Sequence, residues 1–248
     1  MKAFANTDIG LTRQINEDDY CVIQNERKDW LAIVCDGIGG SAAGEVASHI
    51  AVSTLRDAFL EAQEFTKDSQ VNQWIQENLN KANDAIFSKS LEDSAYRGMG
   101  TTCVGCLIAN HSTYIFNVGD SRLYAYYKDG LIQMSEDHSV IAQLIREGKI
   151  SAEEAKSHSQ RNTLTNALGI WHVFRIDINK IDSGYEYLLL CSDGLHSYVD
   201  YNEIKKIINC SGYSLKDKVN TLIEKANQVG GYDNCTVVLL QSEEDVDD

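Results

Sequence analysis

The sequence predicts an α+β fold: a central sandwich of two antiparallel β-sheets with helices covering both outer sides. Two observations lead there. Short runs rich in β-branched and aromatic residues follow one another directly, without the regular strand–helix–strand alternation of a doubly wound parallel sheet. Two long helical patterns interrupt them early and two more come late, as outer layers on a sandwich require.

In chain order, strands are expected over 20–25 and 30–35. A helix over 43–60 follows from Val46, Ile50, Leu55 and Phe59 at near-helical spacing, and one over 70–91 from Trp74, Ile75, Leu79, Ala82, Ile86 and Phe87. Strands over 101–109, 113–118 and 122–128 come next, with Asp129-Gly130 supplying the positive φ of a hairpin turn. Residues 138–158 read as two short helices, the second opened by Ser151-Ala152-Glu153-Glu154. After strands over 173–181 and 186–191, Asp200 with Glu203 and Ser214 with Asp217 resemble capping boxes for helices over 201–209 and 215–228, before a last strand over 235–240. Residues 1–242 read as a single catalytic domain, and the acidic run 243–248 as a solvated tail.

A formal net charge of −15 argues against nucleic acid or an anionic membrane as partner. The start of the chain turns polar too soon for a signal peptide, and no apolar run reaches the ~20 residues that span a bilayer. Seven cysteines, an odd number lying mostly in apolar runs, fit reduced thiols of a cytoplasmic protein. Cys103 and Cys106 have zinc-ligand spacing but no second pair, and read as strand residues. With no proline in the chain, turns must rest on Gly, Asn, Asp and Ser.

The chemistry lies in four strand ends. Apolar run 31–35 enters Asp36-Gly37, run 114–118 enters Gly119-Asp120, run 188–192 enters Asp193-Gly194, and Gly230-Gly231-Tyr232-Asp233 leads into 236–240. Each presents a carboxylate at the rim of a sheet, and carboxylates gathered there need a cation. Oxygen ligands favour Mn²⁺ or Mg²⁺ over zinc. Two such ions would activate a water between them and clamp a phosphoryl group, with no Ser or Cys nucleophile required. Arg13, near Glu17 and Asp18, is a fork suited to phosphate oxygens.

Arg13, Asn16-Glu17-Asp18, Asp36-Gly37-Ile38-Gly39-Gly40, Gly98-Met99-Gly100-Thr101-Thr102, Asn117-Val118-Gly119-Asp120-Ser121-Arg122, Asp137-His138-Ser139, Ser192-Asp193-Gly194-Leu195 and Gly230-Gly231-Tyr232-Asp233-Asn234 occur in this order over nearly the whole chain. Together they resemble the metal-dependent Ser/Thr protein phosphatases of the PPM (type-2C) family, in the bacterial stand-alone form. The resemblance implies that Asp36 bridges two core ions, with the Gly37 carbonyl on one and Asp193 and Asp233 on the other. It gives Asp120 with Asp193 a third, weaker ion, Glu17 and Asp18 water-mediated contacts to metal, and Arg13 the substrate phosphate. Asp36, Asp193 and Asp233 are thus the catalytic set, and about 140–170 a mobile flap. The activity implied is hydrolysis of phosphoserine and phosphothreonine on proteins, opposing a cognate Ser/Thr kinase, by a monomer.

Two departures matter. Ile38 stands where many eukaryotic members carry a histidine proposed as general acid, so leaving-group protonation must come from water or another group. Ser159 replaces a common proline, which predicts a more pliable flap. His49 and His111 read as surface or helix-face residues, His138 as structural, and His196, just after the Asp193 motif, as a minor candidate for touching substrate. Two-metal nucleic-acid hydrolysis is disfavoured by the acidic charge. A phosphoprotein-binding pseudophosphatase is the alternative, and would require loss of a metal aspartate, which is not seen.

Overall fold

The computed structural model describes residues 1–39 and 43–242. Gly40 of the Asp36 motif and the predicted tail 243–248 lie outside the described residues. Among the described residues there are eleven strands: β1 Lys2–Asp8, β2 Asp18–Gln24, β3 Trp30–Ile38, β4 Gly100–Thr101, β5 Cys103–Ala109, β6 Ser112–Val118, β7 Arg122–Tyr127, β8 Gly130–Gln133, β9 Asp177–Ile181, β10 Tyr187–Cys191 and β11 Cys235–Gln241. They form two sheets, in the order β1-β11-β10-β7-β8 and the order β2-β3-β5-β6-β9, with β4 paired to the end of β3. Every pairing is antiparallel, as expected.

The runs look unbroken because central strands are buried on both faces. Ala32 and Val34 of β3, Val104 and Cys106 of β5, Leu188 and Leu190 of β10, and Val238 and Leu240 of β11 meet between the sheets. The alternate residues Leu31, Ile33 and Cys35 face outward onto helices α1 (Ala43–Glu61) and α2 (Asp68–Glu92). On the opposite side, Leu189, Cys191, Val237 and Leu239 pack in the cluster that also holds residues of α6 (Tyr201–Ile208) and α7 (Leu215–Val229). The same alternation separates Cys103, in the outer cluster, from Cys106, between the sheets. They lie on opposite faces of one strand and cannot share an ion.

Local signals held where capping chemistry was specific. Ser214 and Asp217 exchange reciprocal bonds that start α7, and Gly230, with φ 148°, ends it. Ser151 and Glu154 do the same for α4 (Ala152–Lys156), which follows α3 (Val140–Arg146). Asp200 caps α6 by accepting from the Asn202 N–H at 2.8 Å, without the reciprocal bond of a box. Four features differ from expectation. β1 is an additional edge strand whose polar residues are ordered by pairing with β11 and by hydrogen bonds with α7. β8 adds four residues after the Asp129-Gly130 turn. β9 starts at Asp177 rather than 173, because Arg175 N–H is taken by the Asn166 side chain at 3.1 Å instead of a neighbouring strand. α5 (Asp193–His196) is too short to leave a periodic signal.

Candidate active site

The strand ends meet at one end of the sandwich. In the β2–β3 register Asp18 lies directly opposite Asp36. Asp120 follows β6, Asp193 opens α5 just after β10, and Asp233 stands two residues before β11. Arg13, Glu17, Asp36, Gly37, Asp120, Asp193 and Asp233 line one cleft of about 250 Å³. Asp18 is buried, with only 8% of its surface exposed, and is not among the cleft-lining residues.

Backbone and hydroxyl bonds fix these carboxylates. The Asp36 N–H donates to Thr102 Oγ1 at 2.9 Å, and Thr102 Oγ1 shares a 2.7 Å bond with Ser121 Oγ. Asp18 Oδ2 accepts from Ser192 Oγ and Thr236 Oγ1, each at 2.7 Å. Asn234 clamps the loop that carries Arg13 and Glu17. Its Oδ1 accepts from the Glu17 N–H at 2.9 Å, while Nδ2 donates to the carbonyls of Ile9 at 2.9 Å and Ile15 at 3.0 Å. Its motif places Asn234 beside Asp233, but nothing local gives it this role, which spans more than 200 residues. At Gly37 a Cβ would stand 2.3 Å from the Gly44 carbonyl oxygen and 2.5 Å from that of Glu17. Gly37→Ala must therefore push α1 or the Glu17 loop aside, and calorimetry should record a melting temperature lower by about 5 °C.

The electrostatics are those of crowded acids. Burial, followed by the charges of Asp18, Asp193, Asp120 and Asp233, holds Asp36 well above the usual carboxylate range. Burial raises Asp120 to about 8, with Asp193 and Asp137 adding to it. It raises Asp18 to about 7 against the opposing Ser192 and Thr236 hydroxyls, and Asp193 to about 6 together with Asp233. Among the described residues Arg13 is the only cation lining the cleft, and its Nη2 lies 2.8 Å from Asp233 Oδ2. The arginine expected on the substrate phosphate is thus paired with an expected metal ligand. Among the described residues no three His, Cys, Asp or Glu side chains form a ready-made metal cage. Asp193 and Asp233 lie close enough to Asp36 that their charges raise it, the charge of Asp233 raises Asp193 as well, and Asp233 pairs with Arg13.

The residues nonetheless fit a hard divalent cation. Asp18 Oδ1 is buried without a hydrogen-bond partner, and an orphaned carboxylate oxygen is costly unless a cation or its water meets it. The donor set is all oxygen, which suits Mn²⁺ or Mg²⁺.

Comparison with known proteins bears on the assignment. Residues 10–228 match the family described as Protein phosphatase 2C. The chain belongs to the protein phosphatase 2C family. Serine/threonine phosphatase stp of Listeria innocua is 38% identical over 242 residues, covering 97% of this chain and 96% of that protein. Protein phosphatase PhpP of Streptococcus pneumoniae is 36% identical over 241 residues, covering 96% of each. The crystal structure of serine/threonine phosphatase Stp1 from Staphylococcus aureus superposes with a TM-score of 0.91 at 36% identity, covering 98% of this chain and 95% of that one. The Mycobacterium tuberculosis serine/threonine phosphatase PstP/Ppp gives 0.86 at 32%, covering 98% and 99%.

As a protein phosphatase 2C the chain is a hydrolase of phosphoproteins, in a family that depends on metal ions. The family member's other motif residues have clear structural places. His138 is buried, its Nε2 2.9 Å from Asp177 Oδ2 and its Nδ1 accepting from the Gly119 N–H at 3.2 Å, which is the structural role expected. His196 does not reach the cleft; its Nε2 lies 3.0 Å from the Asp120 carbonyl oxygen, and burial lowers its pKa well below the ordinary value. It holds the Asp120 backbone rather than facing substrate. Ile38 lines the cleft and no histidine does. From the expected flap, Asn162 and Leu164 reach the cleft, and Leu168 bridges back to Thr101. No helix of the described residues is long and apolar enough to cross a membrane.

Proposed function

We propose that this chain is a protein serine/threonine phosphatase that hydrolyses phosphoserine and phosphothreonine monoesters by direct attack of water. One observation carries the reading: carboxylates from separate strand ends, Asp36, Asp120, Asp193 and Asp233, line one cleft whose only cation among the described residues is Arg13. Asp36, the Gly37 carbonyl, Asp193 and Asp233 would hold two Mn²⁺ or Mg²⁺ ions. Asp120 with Asp193 would hold a third, and Glu17 and Asp18 would act through waters. When bound, the ions supply the positive charge that relieves the clustered acids and the Lewis acidity that activates water and phosphate.

The chain's own residues do the rest. Arg13, with its side chain 46% exposed, exchanges Asp233 for the two phosphate oxygens its fork can bind. Asp18 keeps Oδ2 saturated by two hydroxyls, so only Oδ1 is free to orient a water. Ile38 donates no proton, so the leaving oxygen takes one from solvent. Residues 1–242 act as one catalytic unit with 140–170 as its flap, made pliable by Ser159. The enzyme works as a cytoplasmic monomer opposite a Ser/Thr kinase.

Arg13→Ala should raise KM for a phosphothreonine peptide roughly ten- to a hundredfold, with little change in Mn²⁺ affinity by calorimetric titration. Unchanged kinetics would return Arg13 to a surface charge. The reading as a whole is tested with that peptide and p-nitrophenyl phosphate. Turnover should require added Mn²⁺ or Mg²⁺, and full activity in excess EDTA would exclude the proposed chemistry.

A further inference from the structure

Beside the Arg13–Asp233 pair the surface changes character. Leu11, two residues before Arg13, is 70% exposed, and Tyr232, next to Asp233, is 53% exposed. The Leu11 N–H donates to the Gly231 carbonyl at 2.7 Å. Gly231 has a φ of 53°, and a Cβ there would stand 2.7 Å from Leu11 Cγ. Loop and turn are locked together, which fixes the backbone that carries both side chains. Tyr232 also stacks on Tyr198, with ring centroids 5.4 Å apart and planes at 42°. The Tyr198 hydroxyl lies within electrostatic reach of Asp193, Asp233 and Arg13. Exposed apolar residues scattered singly are ordinary. Exposed Leu11 and Tyr232, with the half-buried Tyr198 against Tyr232, border a cleft built from carboxylates and mark a binding surface. Aromatic rings suit such a surface, since they offer much area for few rotatable bonds.

We propose that Leu11, Tyr198 and Tyr232 form a recognition surface for the polypeptide flanking the phosphorylated residue, and that this surface takes an apolar side chain there. The proposal rests on the phosphatase reading above. Continuity with the cleft identifies the occupant: a chain whose phosphate sits on Arg13 leaves the cleft past these side chains, at the ~3.3 Å per residue of an extended segment. Charge disfavours an acidic flank: with a net charge of −15 the enzyme repels acidic neighbours of the phosphate, and the three side chains have no charge with which to offset that.

The test uses the Mn²⁺-loaded full chain as wild type, Tyr232→Ala and Leu11→Ala. Substrates are two phosphothreonine peptides identical except for Leu or Ser on both sides of the phosphothreonine, with p-nitrophenyl phosphate as a reference lacking any chain. The wild type should favour the Leu peptide by about tenfold in kcat/KM, and each variant should lose most of that ratio. A ratio near one in the wild type, or a ratio unchanged in both variants, overturns the proposal. Equal losses on all three substrates would mean that the side chains only hold the Arg13 loop, and also overturn it. Turnover of p-nitrophenyl phosphate with neither peptide cleaved would remove the protein-phosphatase reading and this surface with it. A dimer in sedimentation that Tyr232→Ala abolishes, without peptide preference, would assign the surface to a second copy instead.

Discussion

Asp193→Asn should lower kcat on the order of a thousandfold at saturating Mn²⁺ while leaving the fold intact. The amide keeps the shape of the carboxylate but removes the charge that two ions are expected to share. In EDTA the same change should raise the melting temperature. In the wild type, burial together with the Asp233 charge pushes Asp193 up to about 6, so ionising it at neutral pH works against the fold. A variant that is inactive yet more stable without metal separates a ligand from a structural residue. Wild-type turnover at saturating Mn²⁺ would remove Asp193 from the ligand set.

The metal-free protein should also lose stability as pH rises from about 4 to about 8. The sign follows from linkage. Asp18 at about 7, Asp120 at about 8 and Asp193 at about 6 are all raised above the ordinary aspartate value of roughly 3.9. The folded state therefore holds protons that the unfolded chain has released, and its stability falls until those groups ionise. The contribution is fully present below about 4 and gone above about 8. A carboxyl pKa that folding raises by one is linked to about 1.4 kcal/mol, so even part of this effect is a large fraction of a domain's stability. Urea midpoints in EDTA should therefore decline across that window, with the rest of the protein's ionisable groups superimposed. In saturating Mn²⁺ the decline should shrink or reverse, because the cation replaces the protons. A flat profile in EDTA, matching that in Mn²⁺, would mean the carboxylates titrate independently.

Much of this was legible in the chain. The four aspartate-bearing strand ends are contiguous patterns, and burial on both faces of the central strands made their apolar runs unbroken. Capping by Ser151 and Ser214 is local chemistry within four residues. What escaped depends on partners far away in sequence. β1 is ordered by β11 and α7, more than 200 residues on. The Asn234 clamp on the Arg13 loop and the Arg13–Asp233 ion pair join the two ends of the chain. His196 reads as close to substrate because it follows Asp193 by three residues. The one-turn helix α5 instead carries it to the Asp120 backbone, a direction no linear motif encodes.

The central claim is that Asp36, Asp193 and Asp233, with Asp120, Glu17 and Asp18 around them, converge to hold divalent cations in the folded state only. Thermal melting of the wild type and of Asp36→Asn, each in EDTA and in millimolar Mn²⁺, tests it without reference to catalysis. A ligand at a hundred times its dissociation constant stabilises the fold by ~2.7 kcal/mol, which for a chain of this size is a rise of about 5–10 °C. The wild type should show that rise and Asp36→Asn should largely lose it. Superimposable wild-type curves in Mn²⁺ and EDTA would mean that no cation gathers these carboxylates, and would contradict the account.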